Sequence, residues 1–216
     1  MREALWYIFS EIVFRAHFLL NHYENAERER FLERNNFLDS KGIILFGDSQ
    51  VACWRMYKYF GCLPIRNRGK NGDRANTALG RIEEDVLKFS PKSVFLLLGT
   101  NDVAQRRKLE DIAEDISRIV AVFQKNGIES VVCSILPVGG IYKNKRPLEE
   151  LRKINKLISN IAVRHKLDYL DFWPTLADDN GDFKAELTCD GLHPNAKGYN
   201  IMTGLLLSKI LDILRE

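Results

Sequence analysis

Two uninterrupted apolar runs, Ile43–Phe46 and Val94–Leu98, constrain the fold more than any other feature of the chain. A strand with one wet face alternates apolar and polar residues. These runs do not, as expected of parallel strands covered on both faces. From Asp39-Ser40 onward, short apolar runs bounded by Gly, Asn and Asp are each followed by a helix-length segment. The pattern predicts strands near Ile43–Phe46, Pro64–Asn67, Ser93–Leu98, Ser130–Ile135 and Asp168–Asp171. It predicts helices near Val51–Tyr59, Ala75–Phe89, Leu109–Lys125, Leu148–His165 and Ala196–Leu214. Alternating β and α elements of this kind predict an α/β fold, a three-layer α/β/α sandwich around a parallel sheet. Asn126-Gly127 fits a helix C-cap, and Asp178-Asp179-Asn180-Gly181-Asp182 fits a tight turn or hairpin. That acidic turn is not an EF-hand loop, whose glycine would fall on Phe183.

The first residues read differently. Leu5, Ile8, Phe9, Ile12, Val13, Ala16, Leu19, Leu20 and Tyr23 recur at helical spacing, with Tyr7, Phe14 and Phe18 as a second aromatic row. The expectation is an amphipathic helix that packs on the core or on a second copy, or meets a membrane or lipid. It serves as a dimer interface or as a lid. Glu3, Glu11, Arg15 and His17 leave no uncharged stretch near the roughly 20 residues a membrane span needs. Residues 1–38 are thus read as an N-terminal helical extension and 39–216 as the α/β domain, in a soluble, cytoplasmic protein. The formal net charge of +3 in 216 residues, spread evenly, gives no electrostatic footprint for nucleic acid. The 4 cysteines match neither a metal knuckle nor a disulfide framework, and read as reduced, mostly buried thiols.

Doubly wound sheets bind their ligands at the carboxyl ends of the strands. Three strand ends carry unusual loops: Gly47-Asp48-Ser49, Asn67-Arg68-Gly69-Lys70-Asn71-Gly72-Asp73, and Gly99-Thr100-Asn101-Asp102. A fourth loop, Asp190-Gly191-Leu192-His193-Pro194, precedes the last helix. A serine attacks poorly at neutral pH unless an imidazole takes its proton, and the imidazole needs an acid to orient it. Of the 4 histidines, only His193 sits in such a loop, with Asp190 beside it; His17 and His22 belong to the N-terminal helix and His165 to a helix end. Alone, Ser49 reads as a helix cap and the Asp190–Pro194 segment as a capped helix start.

In combination these loops resemble the SGNH hydrolases, also called GDSL-like lipases and esterases. Gly47-Asp48-Ser49-Gln50 stands for the naming block, with Gln50 where leucine is frequent. Asn67–Asp73 is similar to the glycine block, Gly99–Asp102 matches fully, and Asp190–Pro194 matches the Asp-x-x-His block. The resemblance, running from Gly42 to the C-terminus, implies a flavodoxin-like sheet and a hydrolase needing neither cofactor nor metal. It implies Ser49 as nucleophile, His193 as base and acid, and Asp190 as its orienting group. The oxyanion hole would comprise the N–H groups of Ser49 and Gly72 and the amide of Asn101, with Gly69 as the alternative glycine. Independently, an oxyanion is best served by fixed, uncharged donors, and glycine lets backbone approach closely.

Asp48 and Asp102 read as structural hydrogen-bonding groups and Cys53 as packed under the sheet; Trp54, Tyr57 and Tyr59 are either core or pocket wall. The functional expectation is a serine esterase forming an acyl-enzyme from a small-molecule ester, with a short acyl or acetyl group on a carbohydrate or lipid. Specificity falls to loops such as Pro137–Arg146 and to the N-terminal helix. The alternatives are a lysophospholipase or thioesterase for longer chains, or a non-catalytic interaction module docking through the N-terminal helix. Nucleotide binding is disfavoured, since neither GxGxxG nor GxxxxGK[ST] follows any strand.

Overall fold

The computed structural model describes residues 20, 22–34 and 41–215. The amphipathic pattern of the first 19 residues, with His17 and the row Tyr7, Phe14 and Phe18, lies outside the described residues, as do 35–40. Five strands form one parallel sheet: β1 Ile43–Gly47, β2 Ile65–Gly69, β3 Ser93–Leu97, β4 Glu129–Cys133 and β5 Asp168–Leu170. Their order is β2-β1-β3-β4-β5, the flavodoxin-like arrangement. The chain leaves β1 for one side and enters β3 on the other, so the crevice opens at the carboxyl ends of these two central strands.

The unbroken apolar runs are explained by two cores. Ile44, Phe46, Val94, Leu96 and Val132 point into one, and Ile43, Leu45, Phe95, Leu97, Val131 and Cys133 into the other. Successive side chains face opposite sides of a strand, so covering both faces requires apolar residues throughout. The first layer holds α4 Ala75–Leu79, α5 Ile82–Asp85, α7 Leu109–Lys125 and α8 Leu148–His165. The second holds α2 Ser49–Ala52, α3 Met56–Phe60 and α10 Ala196–Arg215. Two short helices, α6 Thr100–Ala104 and α9 Trp173–Leu176, are additions to the predicted set.

Two predicted helices are broken. The segment near Val51–Tyr59 divides into α2 and α3 because side chains take its carbonyls. Asn67 Nδ2 donates to Val51 O at 2.8 Å and Trp54 O at 3.0 Å, while Asn25 bridges Trp54 O and the Met56 N–H. Such local bonds compete with helix continuation. Trp54 lies between them as core, donating to Thr203 Oγ1 at 3.1 Å, whereas Tyr57 is exposed. The segment near Ala75–Phe89 breaks at Gly80 because Arg81 turns inward. Its guanidinium donates to the carbonyls of Gly47 and Arg68, each at 2.9 Å, and pairs with Asp73 and Asp85.

Residues 22–34 form a helix, α1, against the β2 edge of the sheet. Arg28 donates to the carbonyls of Gly61, Leu63 and Ile65 at 2.6–2.7 Å, Glu24 pairs with Arg55, and Glu29 pairs with Arg66 and Arg68. Covering the edge in this way blunts its tendency to pair with another strand. The thiol expectation holds for Cys53 and Cys133, which are buried, and fails for Cys62 and Cys189, which lie in exposed turns. All four are free. Among the described residues, no helix is long and apolar enough to cross a membrane.

Two glycines permit the first strand end to form. A Cβ on Gly69 would meet Ala52 N at 2.1 Å, and one on Gly47 would meet Leu97 O at 2.3 Å. Overpacking of this kind costs about 1–3 kcal/mol. Gly69→Ala is therefore expected to lower the unfolding free energy by that much, read as a lower urea midpoint; an unchanged midpoint would refute the close packing of α2 on β2.

Asp48, the N-cap of α2, accepts from the Gln50 N–H at 2.9 Å and is fully buried, with Oδ2 unpartnered. Burial pushes its carboxyl up from 3.8 to about 7, with Asp73 and Asp102 adding to the rise and Arg146 opposing it. Between those values the folded protein holds a proton that the unfolded chain releases, so stability falls as pH rises through this window. Asp48→Asn keeps the cap and removes the titration. The variant should gain stability over wild type between about pH 4 and pH 7, and denaturation of both proteins across that range would expose a pH-independent difference if this is wrong.

Candidate active site

Four chain segments converge at the carboxyl edge. Ser49 is the first residue of α2, immediately after β1. Its Oγ lies 3.0 Å from His193 Nε2, and His193 Nδ1 lies 2.8 Å from Asp190 Oδ2. Ser49 and His193 are both buried. Asp190 Oδ1 accepts the N–H groups of Leu192 and His193, each at 2.8 Å, which fixes the carboxylate before it meets the imidazole. Burial acts to raise the Asp190 carboxyl, but the His193 contacts and these N–H bonds outweigh it. The net effect holds it below the usual carboxylate range, hence ionised.

The loop carrying His193 is itself pinned. Thr188 Oγ1 donates to His193 O at 2.7 Å and accepts from the Gly191 N–H at 2.9 Å. Gly191 has a φ of +94°, and a Cβ there would meet Gly139 O at 2.7 Å, so glycine is required. Gln50, the departure from the family's frequent leucine, is fully buried and joins the loop to α2. Its Nε2 donates to Leu192 O at 3.0 Å, and its own carbonyl accepts from Tyr199 OH at 2.8 Å.

The two candidate glycines differ. The Gly69 N–H donates to Asn67 Oδ1 at 2.8 Å and is already committed. Gly72 has a φ of +72° and lines the cleft beside Asn101; its N–H has no acceptor among the described residues. Asn101 follows Gly99, whose φ of +129° turns the chain off β3 into α6. One hydrogen of Asn101 Nδ2 goes to Asp73 O at 3.0 Å, which leaves the other for a ligand.

Asp102 and Asp73 knit these loops together. Asp102, fully buried, accepts from the Ala75 N–H at 3.0 Å and pairs with Arg107 at 2.6 Å; burial pushes its carboxyl up. Asp73 accepts from Thr77 and Arg81, each at 2.7 Å. Of the remaining histidines, His165 contacts Ser117 and Gln124 between α7 and α8, and His22 belongs to α1.

Sequence reasoning missed Arg146. It is buried, donating through Nε to Thr100 O and Oγ1 at 3.1 and 3.0 Å and through Nη2 to Asn101 Oδ1 at 3.2 Å. It thereby fixes which way the Asn101 amide points. The only signal available was its place in the Pro137–Arg146 loop. The cleft of about 580 Å³ that opens here is lined by Gly72, Asn101 and Arg146, with Arg74, Tyr142 and Lys145.

Comparison with known proteins agrees with this architecture. The GDSL-like Lipase/Acylhydrolase family model matches residues 45–201. The N-acylneuraminate cytidylyltransferase of Escherichia coli O18:K1:H7 is 27% identical over 83% of this chain, which spans only 43% of that protein. A GDSL-like lipase from Bacteroides thetaiotaomicron superposes with a TM-score of 0.75, at 24% identity over 88% of this chain and 99% of that one. A catalytic mutant of the acetylxylan esterase Axe2 from Geobacillus stearothermophilus gives 0.60, at 17% identity over 79% and 94%. These structures share the fold, and the family match spans the segments carrying Ser49, Gly72, Asn101, Asp190 and His193. The chain belongs to the GDSL-like lipase/acylhydrolase family, the SGNH hydrolases.

Proposed function

We propose that the protein is a serine esterase that removes a short acyl group, such as acetyl, from a carbohydrate-like alcohol through an acyl-enzyme. The observation that carries the reading is the relay from Ser49 Oγ to His193 Nε2 at 3.0 Å and on to Asp190 at 2.8 Å. Ser49 Oγ attacks the ester carbonyl as His193 Nε2 takes its proton. The carbonyl oxygen becomes an oxyanion and accepts from the Ser49 and Gly72 N–H groups and the remaining Asn101 amide hydrogen. Collapse breaks the bond to the alcohol, which leaves with the proton from His193. Water, deprotonated by the same imidazole, then attacks the acyl-enzyme, and Ser49 recovers its proton as the acid departs. Asp190, held ionised, stabilises the imidazolium in both halves.

The cleft supports a polar alcohol over a long acyl chain. Among the described residues that line it, the purely apolar side chains are Ala104 and Ile141; the rest include Arg74, Asn101, Gln105, Asn144 and Lys145. A lysophospholipase or thioesterase would need a longer apolar slot beside Gly72 and Asn101.

Hydrolysis of p-nitrophenyl esters from acetate to palmitate tests both parts. Turnover should peak at acetate and vanish in Ser49→Ala, with a fluorophosphonate probe labelling Ser49 in the wild type only. A peak at long chains would favour the lipid-directed reading, and an unlabelled, inactive wild type would favour a non-catalytic module. Asn101→Ala should lose about 10²–10³ in kcat, the usual effect of removing one oxyanion donor. A loss of only a few-fold would remove Asn101 from the oxyanion hole.

A further inference from the structure

Most arginines packed against the sheet and its loops are matched by acids. Arg55, Arg66, Arg68, Arg81 and Arg107 each meet a carboxylate within hydrogen-bonding distance. Arg74, Lys145 and Arg146 do not: among the described residues none of the three makes an ion pair, and all three line the cleft beside Gly72 and Asn101. Among the described residues, no Asp or Glu lines that cleft. Arg146 is the most constrained, being only 6% exposed. Its Nε and Nη2 are satisfied by Thr100 and Asn101 and its guanidinium lies 5.6 Å from the Tyr142 ring centre, while Nη1 has no acceptor among the described residues. Asp48 and Asp190 lie near enough to attract it, yet neither closes a pair. A buried guanidinium without a carboxylate is costly, and an anionic ligand group would supply the missing partner. Arg28, equally buried and also without a carboxylate, differs because three carbonyls occupy its fork.

We propose that this cleft selects esters whose alcohol part carries a carboxylate or phosphate, gripped by Arg146 with Arg74 and Lys145 supplying the surrounding positive field. The inference rests on the esterase reading above: because the acyl group is short, the charge must sit on the alcohol that fills the cleft. A planar guanidinium offers paired donors to either anion. The two solvent-facing cations act at longer range and raise the local concentration of the anionic ester. Arg74 and Lys145 act on the anion and not on the reacting carbonyl, so their share of this recognition appears in KM.

Three acetyl esters of similar size decide the matter: an O-acetylated glucoside, the corresponding glucuronate and the corresponding sugar phosphate. The wild type should favour the anionic esters by about tenfold or more in kcat/KM at low ionic strength, an advantage that shrinks toward parity near 1 M salt. Arg74→Gln with Lys145→Gln should raise KM several-fold more for the anionic esters than for the neutral one, narrowing the preference. Arg146→Lys is expected to slow all three, since it also releases the Asn101 amide. Whether glucuronate or sugar phosphate is preferred identifies the anion. Equal kcat/KM for neutral and anionic esters, or a preference that the double substitution leaves undiminished, overturns the inference while Ser49 labelling keeps the esterase reading intact. If Ser49 is unlabelled and no ester is hydrolysed, both fall together.

Discussion

Everything in this molecule follows from covering both faces of a parallel sheet. Once β1 and β3 are sealed between two apolar layers, no polar group along their length can reach solvent without leaving a buried cost. Chemistry is thereby pushed to the strand ends, and in this topology the order reverses between β1 and β3. That reversal separates the loops enough to admit a ligand while keeping them close enough to share hydrogen bonds. Ser49, Gly72 and Asn101 issue from three adjacent strands for this reason, and α10 delivers the fourth loop from the opposite end of the chain.

The precision of the site comes from polar groups that do no chemistry. Gln50 and Tyr199 tie α2 to the final loop, Thr188 closes that loop on itself, and Asp102 with Arg107 fastens the turn after β3 to the start of α4. Arg146 adds the amide orientation of Asn101. Each is buried or nearly so, where a hydrogen bond is both stronger and more expensive to break than at the surface. Ser49 is thus held by a shell whose members are spread over most of the sequence.

What could be read in advance depended on range. The strands were legible because sealing both faces forces a local apolar run, and α7 and α8 because their apolar stripes repeat within a few turns. The split of the helix predicted near Val51–Tyr59 was not legible: Asn25 and Asn67, remote in sequence, capture its carbonyls. The break at Gly80 carried a weak local signal, but its cause is Arg81 reaching the carbonyls of Gly47 and Arg68. Gln50 looked like a departure from a motif, and its amide turned out to hold Leu192.

The sequence by itself determined the alternation of strands and helices, the four loops with reactive residue types, and the family those loops mark. These are local properties, written in spacing and turn chemistry over a few residues. Only the tertiary structure decided which glycine keeps a free N–H, that Arg146 orients Asn101, and that three cations face one cleft without a carboxylate. Those outcomes depend on which distant groups share a small volume, and burial and hydrogen-bond satisfaction settle them only once the chain has closed on itself.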